Sequence, residues 1–426
     1  MIRLIPYSSK ASQLIRHSSS SLDGKTVEAV SSILEDVKRN GDRALVKYSR
    51  RFDCFSLKPS QMRIKPARIK KAHGNVDRAV LMSLKAAHRN ILKFHREQHR
   101  SVKKTLTVRV SDGIAVGERV TPIDSVGCYV PGGSASYPSS VLMTCIPASV
   151  AGVRRIVVVS PPPVSDEVLV AADLCGVKEV YNIGGAQAIA ALAYGTRTVK
   201  PVSKIVGPGN KYVTAAKKLV YGTVDVDMPA GPSEVLIIAD NTAKPGIIAS
   251  DILAQAEHDV NSISVLVTSS RKLAQETKKA VDELVSSEAR QTILAGSLKN
   301  SAIVVANTLG ECIDFANEFA PEHLEILTRN PEQVAGKIDN AGAVFLGPYS
   351  PVAAGDYASG GNHVLPTGGS ARFASPLSVR DFLKYTSVQK LTERGLRSIS
   401  KTVGTLAEAE RLPAHKRSVD SRLEQK

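Results

Sequence analysis

The hydrophobic positions of the chain change period near residue 118. Before that point the spacing is helical. Val27, Val30, Ile33, Leu34 and Val37 recur three and four apart, and Gly41 follows as a stop signal. Residues 79–100 read as one long amphipathic helix, with Lys85, Arg89, Lys93 and Arg96 on its wet side. From Glu118 to about Asp240, short β-branched runs alternate with Ala-rich runs. Arg155–Ser160, 179–183 and Lys204–Val206 predict strands, while 168–175 and 186–194 predict helices. A second set follows. It has strands at Glu234–Ala239, 262–268, 302–306 and Ala343–Leu346, and helices at 244–257, 271–287 and 310–319. This alternation predicts an α/β protein whose parallel sheets carry helices on both faces. Residues 347–376 form a Gly-, Ser- and Pro-rich stretch too long for a plain linker, and 377–424 read as polar helix.

A length of 426 residues suggests about two to four structural units, and 43% hydrophobic content supplies their cores. No run approaches the roughly 18 apolar residues of a membrane span. Residues 1–20 lack a continuous apolar segment. A soluble, cytoplasmic protein without a membrane partner is therefore expected. The five cysteines are odd in number and include no CxxC, which favours small buried thiols over disulfides or a thiolate metal site. Net charge is +16, and residues 1–110 supply all of it, with 25 Lys/Arg against 8 Asp/Glu. A nucleic-acid face and solvated helix faces both produce such an excess. No nucleic-acid motif or interleaved aromatics accompany it, so solvated faces are expected, with no nucleic-acid partner.

Candidate chemistry lies in a few polar segments. His17, His73, His88, His95 and His99 sit in the basic N-terminal part and read as surface residues. On a helix around 249–259, Asp251, Gln255 and His258 fall at i, i+4 and i+7, which is one face. Gln255 and His258 can offer an amide oxygen and an imidazole nitrogen to a metal ion. A solvated polar stripe gives the same pattern. The sequence Ala320-Pro321-Glu322-His323 sets a carboxylate beside an imidazole, a pair suited to activating water and removing an alcohol proton. A surface pair after a helix end is the alternative. Asp356 and His363 share a glycine-rich loop, and Glu410 and His415 flank Pro413. HExxH and CxxC are absent, so a metal site would need distant segments, and its oxygen and nitrogen donors suit Zn²⁺, Mn²⁺ or Co²⁺. No GxGxxG follows a strand. GGAQ at 184–187 and GPGN at 207–210 stand where a nucleotide could be contacted, or where tight turns are simply needed.

Together these segments resemble histidinol dehydrogenase. The matching stretches are GCYVPGG at 127–133, GGAQAIAALAYGT at 184–196, GPGNKYV at 207–213 and DMPAGPSEVLIIAD at 227–240. They continue with ASDILAQAEHD at 249–259, FAPEHLEI at 319–326, GDYASGGNHVLPT at 355–367 and AERLPAHK ending at Lys416. Their order is the family's, over roughly residues 120–416. The resemblance implies two Rossmann-like parallel-sheet domains with small helical N- and C-terminal segments. The expected division is a helical segment at 1–23, a first α/β domain at 24–128 plus 234–374, a second at 129–233, and a helical segment at 375–426.

It also implies four-electron, NAD-dependent oxidation of L-histidinol through L-histidinaldehyde to L-histidine, in histidine biosynthesis. One Zn²⁺ per subunit is expected on Gln255, His258, Asp356 and His415. Substrate contacts are expected at Ser233, Gln255, His258, His323, Asp356, Glu410 and His415, and NAD contacts at Tyr129, Gln187 and Asn210. Glu322 and His323 match the family's proton acceptors. The family is a homodimer in which the partner's C-terminal segment, with Glu410 and His415, completes the site. A zinc hydrolase built on the same cluster, or a relative acting on another amino alcohol, are the alternatives.

Overall fold

In the computed structural model the two βα-alternating stretches form two separate parallel sheets. Residues 2–8, 10–16, 23–132, 136–228 and 231–424 are described. His17, and Gly133, Pro229 and Ala230 of the quoted motifs, lie outside them.

Strand β1 (Arg3–Pro6) comes first, and β2 (Thr105–Ser111) and β3 (Ile114–Pro122) form a hairpin. Next come β4 (Ser125–Tyr129), β5 (Arg155–Ser160), β6 (Glu179–Asn182), β7 (Lys204–Val206) and β8 (Asp225–Val226). They make one sheet in the order β6-β5-β4-β7-β8, parallel throughout. The following strands are β9 (Glu234–Ala239), β10 (Ile263–Thr268), β11 (Ala302–Val305), β12 (His323–Leu327) and β13 (Ala343–Leu346). With β1 they make a six-stranded sheet in the order β1-β11-β10-β9-β12-β13, also parallel. Strand β14 (Leu383–Leu391) pairs antiparallel with β3 and completes a three-stranded ribbon.

The central strands are apolar and β-branched because both sheet faces are covered. In the six-stranded sheet, Leu236, Val265, Val304 and Ile326 pack on the Leu309–Phe319 helix. On the other face, Val235, Ile237, Leu266 and Leu327 pack on the Pro245–Ala256 and Arg271–Val285 helices. The five-stranded sheet carries the Pro138–Ala151 and Asp166–Leu174 helices on one face and the Gly185–Tyr194 helix on the other.

The helices between Gly24 and Arg100 belong to this second arrangement, whereas the Ala11–Arg16 helix packs on the six-stranded sheet's Leu309–Phe319 helix. The sequence expectation grouped 24–128 with 234–374. Instead Val30, Ile33, Leu45 and Tyr48 pack beside Val157, Tyr181 and Ile205, and Leu84 and Ile91 beside Val126 and Val158. Strand β4, split by the expected boundary at 128, also lies within that sheet. Hydrophobic period shows which helix face is buried, but not which sheet receives it. Two more expectations are corrected. The 1–23 segment contributes β1 to the six-stranded sheet, and the expected helical segment 375–426 contains β14 ahead of its helices. Both strands are short or half-polar and are stabilised by partners distant in sequence, so local pattern does not reveal them. His95, expected on the surface, is fully buried, with its Nδ1 2.8 Å from the Ile91 carbonyl oxygen. All five cysteines are unpaired, and Cys54 is exposed rather than buried. Among the described residues, no helix is long and apolar enough to cross a membrane.

Candidate active site

The strongest concentration of buried titratable groups lies at the N-terminal edge of β9 and β12. The Leu309–Phe319 helix ends at Ala320 in a left-handed conformation (φ 47°), and Pro321 leads the chain straight into β12. Glu322 and His323, side by side at that entry, are each only 5% exposed. The adjacent backbone of β9 holds both. Glu234 donates its N–H to Glu322 Oε2 at 2.8 Å, and its carbonyl oxygen lies 3.0 Å from His323 Nδ1. The second contact requires the proton on Nδ1, which leaves Nε2 with its lone pair. That Nε2 is buried without a hydrogen-bond partner and lies 3.8 Å from Asp356 Oδ1.

Burial pushes Glu322 well above the usual carboxylate range and lifts Asp356 to about 6. It drops His323 to about 4, with the fields of His363 and His258 adding to the fall. His363 falls to about 4 for the same leading reason, despite the Asp356 carbonyl oxygen 2.9 Å from its Nδ1. Burial in the cleft thus favours neutral imidazoles and protonated carboxyls, because desolvation disfavours the charged form of each group.

The Pro245–Ala256 helix approaches from the face of β12 that bears His323. Gln255 is 4% exposed, and its Nε2 lacks a partner. His258 follows the helix end, where the aligned peptide dipoles are negative and favour a cation. Ser233 stands just before β9 at the same edge, with its carbonyl oxygen accepting from Ile263 N–H at 3.1 Å. A cavity of about 590 Å³ opens here, lined by His323, Asp356, His363, Asn362, Phe345 and Tyr349 among others.

Asp356, expected in a glycine-rich loop, lies on the short Val352–Tyr357 helix, and the glycine-rich stretch after it, which delivers His363, is tied down from the other sheet's helices. Asn90 donates to the Ala358 carbonyl at 2.8 Å, and Asn362 to the Met143 carbonyl at 2.7 Å. Gly360 (φ 110°) lets the loop run so close that a Cβ there would sit 2.9 Å from the Asn90 oxygen.

Tyr129, Gln187 and Asn210 stand at the C-terminal ends of β4, β6 and β7, the edge where open parallel sheets bind ligands. The loops after β6 and β7 converge on Tyr129. Gly185 donates its N–H to the Tyr129 hydroxyl at 3.1 Å, and a Cβ on Gly207 would collide with the Tyr129 carbonyl oxygen. Both amide atoms of Gln187 are buried without partners, although the residue is only 2% exposed. Asn210 already serves as the N-cap of the Lys211–Val220 helix, accepting from Tyr212 and Val213.

Glu410 and His415 are exposed on the hairpin of the Glu393–Ala409 and Pro413–Leu423 helices. Their side chains make no hydrogen bond or ion pair with the cluster. Among the described residues, no three His, Cys, Asp or Glu side chains form a ready-made metal site. Sequence reasoning missed Glu234, whose peptide orients Glu322 and His323, because a main-chain contact leaves no residue signature. It also missed the buried Lys217–Asp227 ion pair that grips the Gly207 peptide from both sides.

The histidinol dehydrogenase family model matches residues 16–423. The chain belongs to the histidinol dehydrogenase family. Curated relatives of that name include one from Methanothermobacter thermautotrophicus, 52% identical over 92% of each chain. Another, from Caldanaerobacter subterraneus, is 50% identical over 95% of this chain and 94% of its own. A crystal structure of histidinol dehydrogenase from Elizabethkingia anophelis superposes with a TM-score of 0.93 at 38% identity, covering 99% of this chain and 98% of that one. The chain is accordingly an oxidoreductase of this family, and its α/β fold is the family's.

Proposed function

We propose that this chain oxidises L-histidinol to L-histidine in two NAD⁺-dependent steps at the Glu322–His323 cleft. The observation that carries the reading is the fixed tautomer of His323. Its Nδ1 proton is committed to Glu234, so a neutral Nε2 faces the cavity as a base. In the first step His323 Nε2 takes the hydroxyl proton as hydride leaves the carbinol carbon, giving the aldehyde. In the second, Glu322 takes a proton from water as it adds to the aldehyde. The hydrate then loses hydride and a proton to give the carboxylate. Burial favours protonated Glu322, so positive charge brought into the cleft on binding would help release it as a base.

Bound NAD⁺ supplies the hydride acceptor, and bound Zn²⁺ a template for the substrate's nitrogens. The residues suit both groups. Gln255 brings a buried amide whose Nε2 has no partner, His258 an imidazole at a negative helix end, and Asp356 a desolvated carboxyl. Tyr129, Gln187 and Asn210 border the glycine turns where NAD⁺ fits, and the orphaned Gln187 amide offers a donor and an acceptor. Ser233 stands at the substrate end of β9. Glu410 and His415, exposed within their own chain, are assigned to the site of the second subunit of a homodimer, His415 as the fourth zinc ligand.

The test is NADH formation from L-histidinol and NAD⁺ by purified protein, before and after chelation and zinc return. About two NADH per histidinol, lost with chelator and regained with zinc, supports the reading. Absence of NADH from folded, zinc-loaded protein overturns it and directs the search to other amino alcohols.

A further inference from the structure

A second pair of acidic groups lies directly behind the cleft. Glu325 is 1% exposed on β12, a strand flanked on both sides by β9 and β13. Its Oε1 accepts the Val352 N–H at 2.9 Å, at the start of the short Val352–Tyr357 helix that carries Asp356. Its Oε2 is buried and receives no donor. The Asp251 carboxyl shares a side-chain hydrogen bond with the Glu325 carboxyl. Among the described residues, no Lys, Arg or His forms an ion pair with either carboxyl.

Two carboxylates in contact repel, and burial magnifies the repulsion. A single proton between them reverses the sign. It turns the orphaned oxygen into one half of a charge-assisted hydrogen bond, which is shorter and stronger than a neutral one. The shifts agree in direction. Burial and the Asp251 charge lift Glu325 to about 8, and burial lifts Asp251 to about 6.

The location gives this bond a consequence. Glu325 is two residues beyond His323 on the same strand face, about 6.6 Å along. Gln255 is one turn beyond Asp251 on its helix, about 6 Å along. In a βαβ unit the helix runs antiparallel to the strands. Matching Asp251 to Glu325 therefore brings Gln255 level with His323. We propose that Asp251 and Glu325 share one proton at neutral pH, and that this bond sets the spacing of Gln255 and His258 against Glu322, His323 and Asp356. Both are positioning residues, and neither touches substrate. The inference rests on the proposed function for its kinetic part only.

The experiment compares Glu325→Gln and Glu325→Leu with wild type. The Gln amide reproduces a protonated carboxyl, because it donates to Asp251 and accepts from Val352. Infrared difference spectra at neutral pH, wild type minus Glu325→Gln, should contain a protonated-carboxyl carbonyl band that shifts in D₂O. A difference spectrum holding only carboxylate bands overturns the shared proton, whatever the enzyme's activity. Glu325→Gln should keep kcat within about threefold, while Glu325→Leu should lose kcat on the order of a hundredfold with a smaller change in KM. If the Leu variant does not fold, Asp251→Ala takes its place with the same expectation. Equal losses for Gln and for the apolar variant would overturn the positioning role.

Discussion

His323 aims its Nδ1 at the Glu234 carbonyl oxygen, 3.0 Å away, and so its Nε2 is the ring atom left to receive a proton. One main-chain oxygen thereby decides the tautomer of the candidate base. The N–H of the same residue holds Glu322 Oε2 at 2.8 Å. A single β9 residue thus fixes both proton acceptors, which therefore move together or not at all.

The two acceptors should separate kinetically. His323→Ala should slow the first oxidation on the order of a hundredfold to ten-thousandfold, the usual worth of a positioned base. Glu322→Gln should leave that step nearly intact and impair oxidation of supplied aldehyde by a similar factor. Single-turnover NADH formation from the alcohol and from the aldehyde checks this. Equal losses in both half-reactions for both variants would refute the division of labour.

The buried imidazoles make metal-free protein sensitive to acid. His323 and His363 titrate near 4 in the fold, against about 6.5 for free histidine. A depressed folded value means that unfolded chain binds the proton first. Stability is then present above about pH 6.5 and lost as pH falls toward 4. Both rings should remain neutral by NMR at pH 5.5, and the Tm of metal-free His363→Asn should fall less than that of wild type between pH 7 and 5. Rings already charged at pH 6 would contradict this.

Glu410 and His415 are exposed in their own chain, and β2, an edge strand of the ribbon, is exposed at every residue, with Leu106, Val108 and Val110 among them. Mixing inactive His415→Ala with inactive His323→Ala protein should restore activity, because one of the two sites in a mixed dimer is then intact. No recovery after verified subunit exchange would place the whole site within one chain.

Gly207 is gripped at both ends of its peptide. Asp227 accepts its N–H at 2.6 Å, Lys217 donates to its carbonyl at 3.0 Å, and these two buried side chains pair with each other. Lys217→Met strands a buried carboxylate and should cost about 3–5 kcal/mol of stability. It should also raise KM for NAD⁺ more than KM for histidinol, since the Gly207 turn abuts Tyr129. A Tm unchanged within error would show that the pair contributes nothing to the turn.

Much of this protein is determined by its sequence alone. The apolar runs at Arg155–Ser160, Lys204–Val206, Glu234–Ala239 and Ala343–Leu346 are strands with the bounds their pattern predicts. Period and β-branching are local properties: the first three of these strands are largely buried and display them as apolar runs, and the edge strand Ala343–Leu346, half-exposed, is still apolar enough to be read. The ordered motifs place the chain in its family for a related reason, since they preserve residue types that close packing and chemistry demand. What the tertiary structure decided is everything that joins distant segments. It assigned the helices of residues 24–100 to the five-stranded sheet, buried His95, and drew β14 into a ribbon with β3. It set the Glu234 peptide beneath His323 and brought Asp251 to Glu325. Each of these depends on which surfaces meet across tens or hundreds of residues, a choice made by the packing of the whole chain that no window of sequence contains.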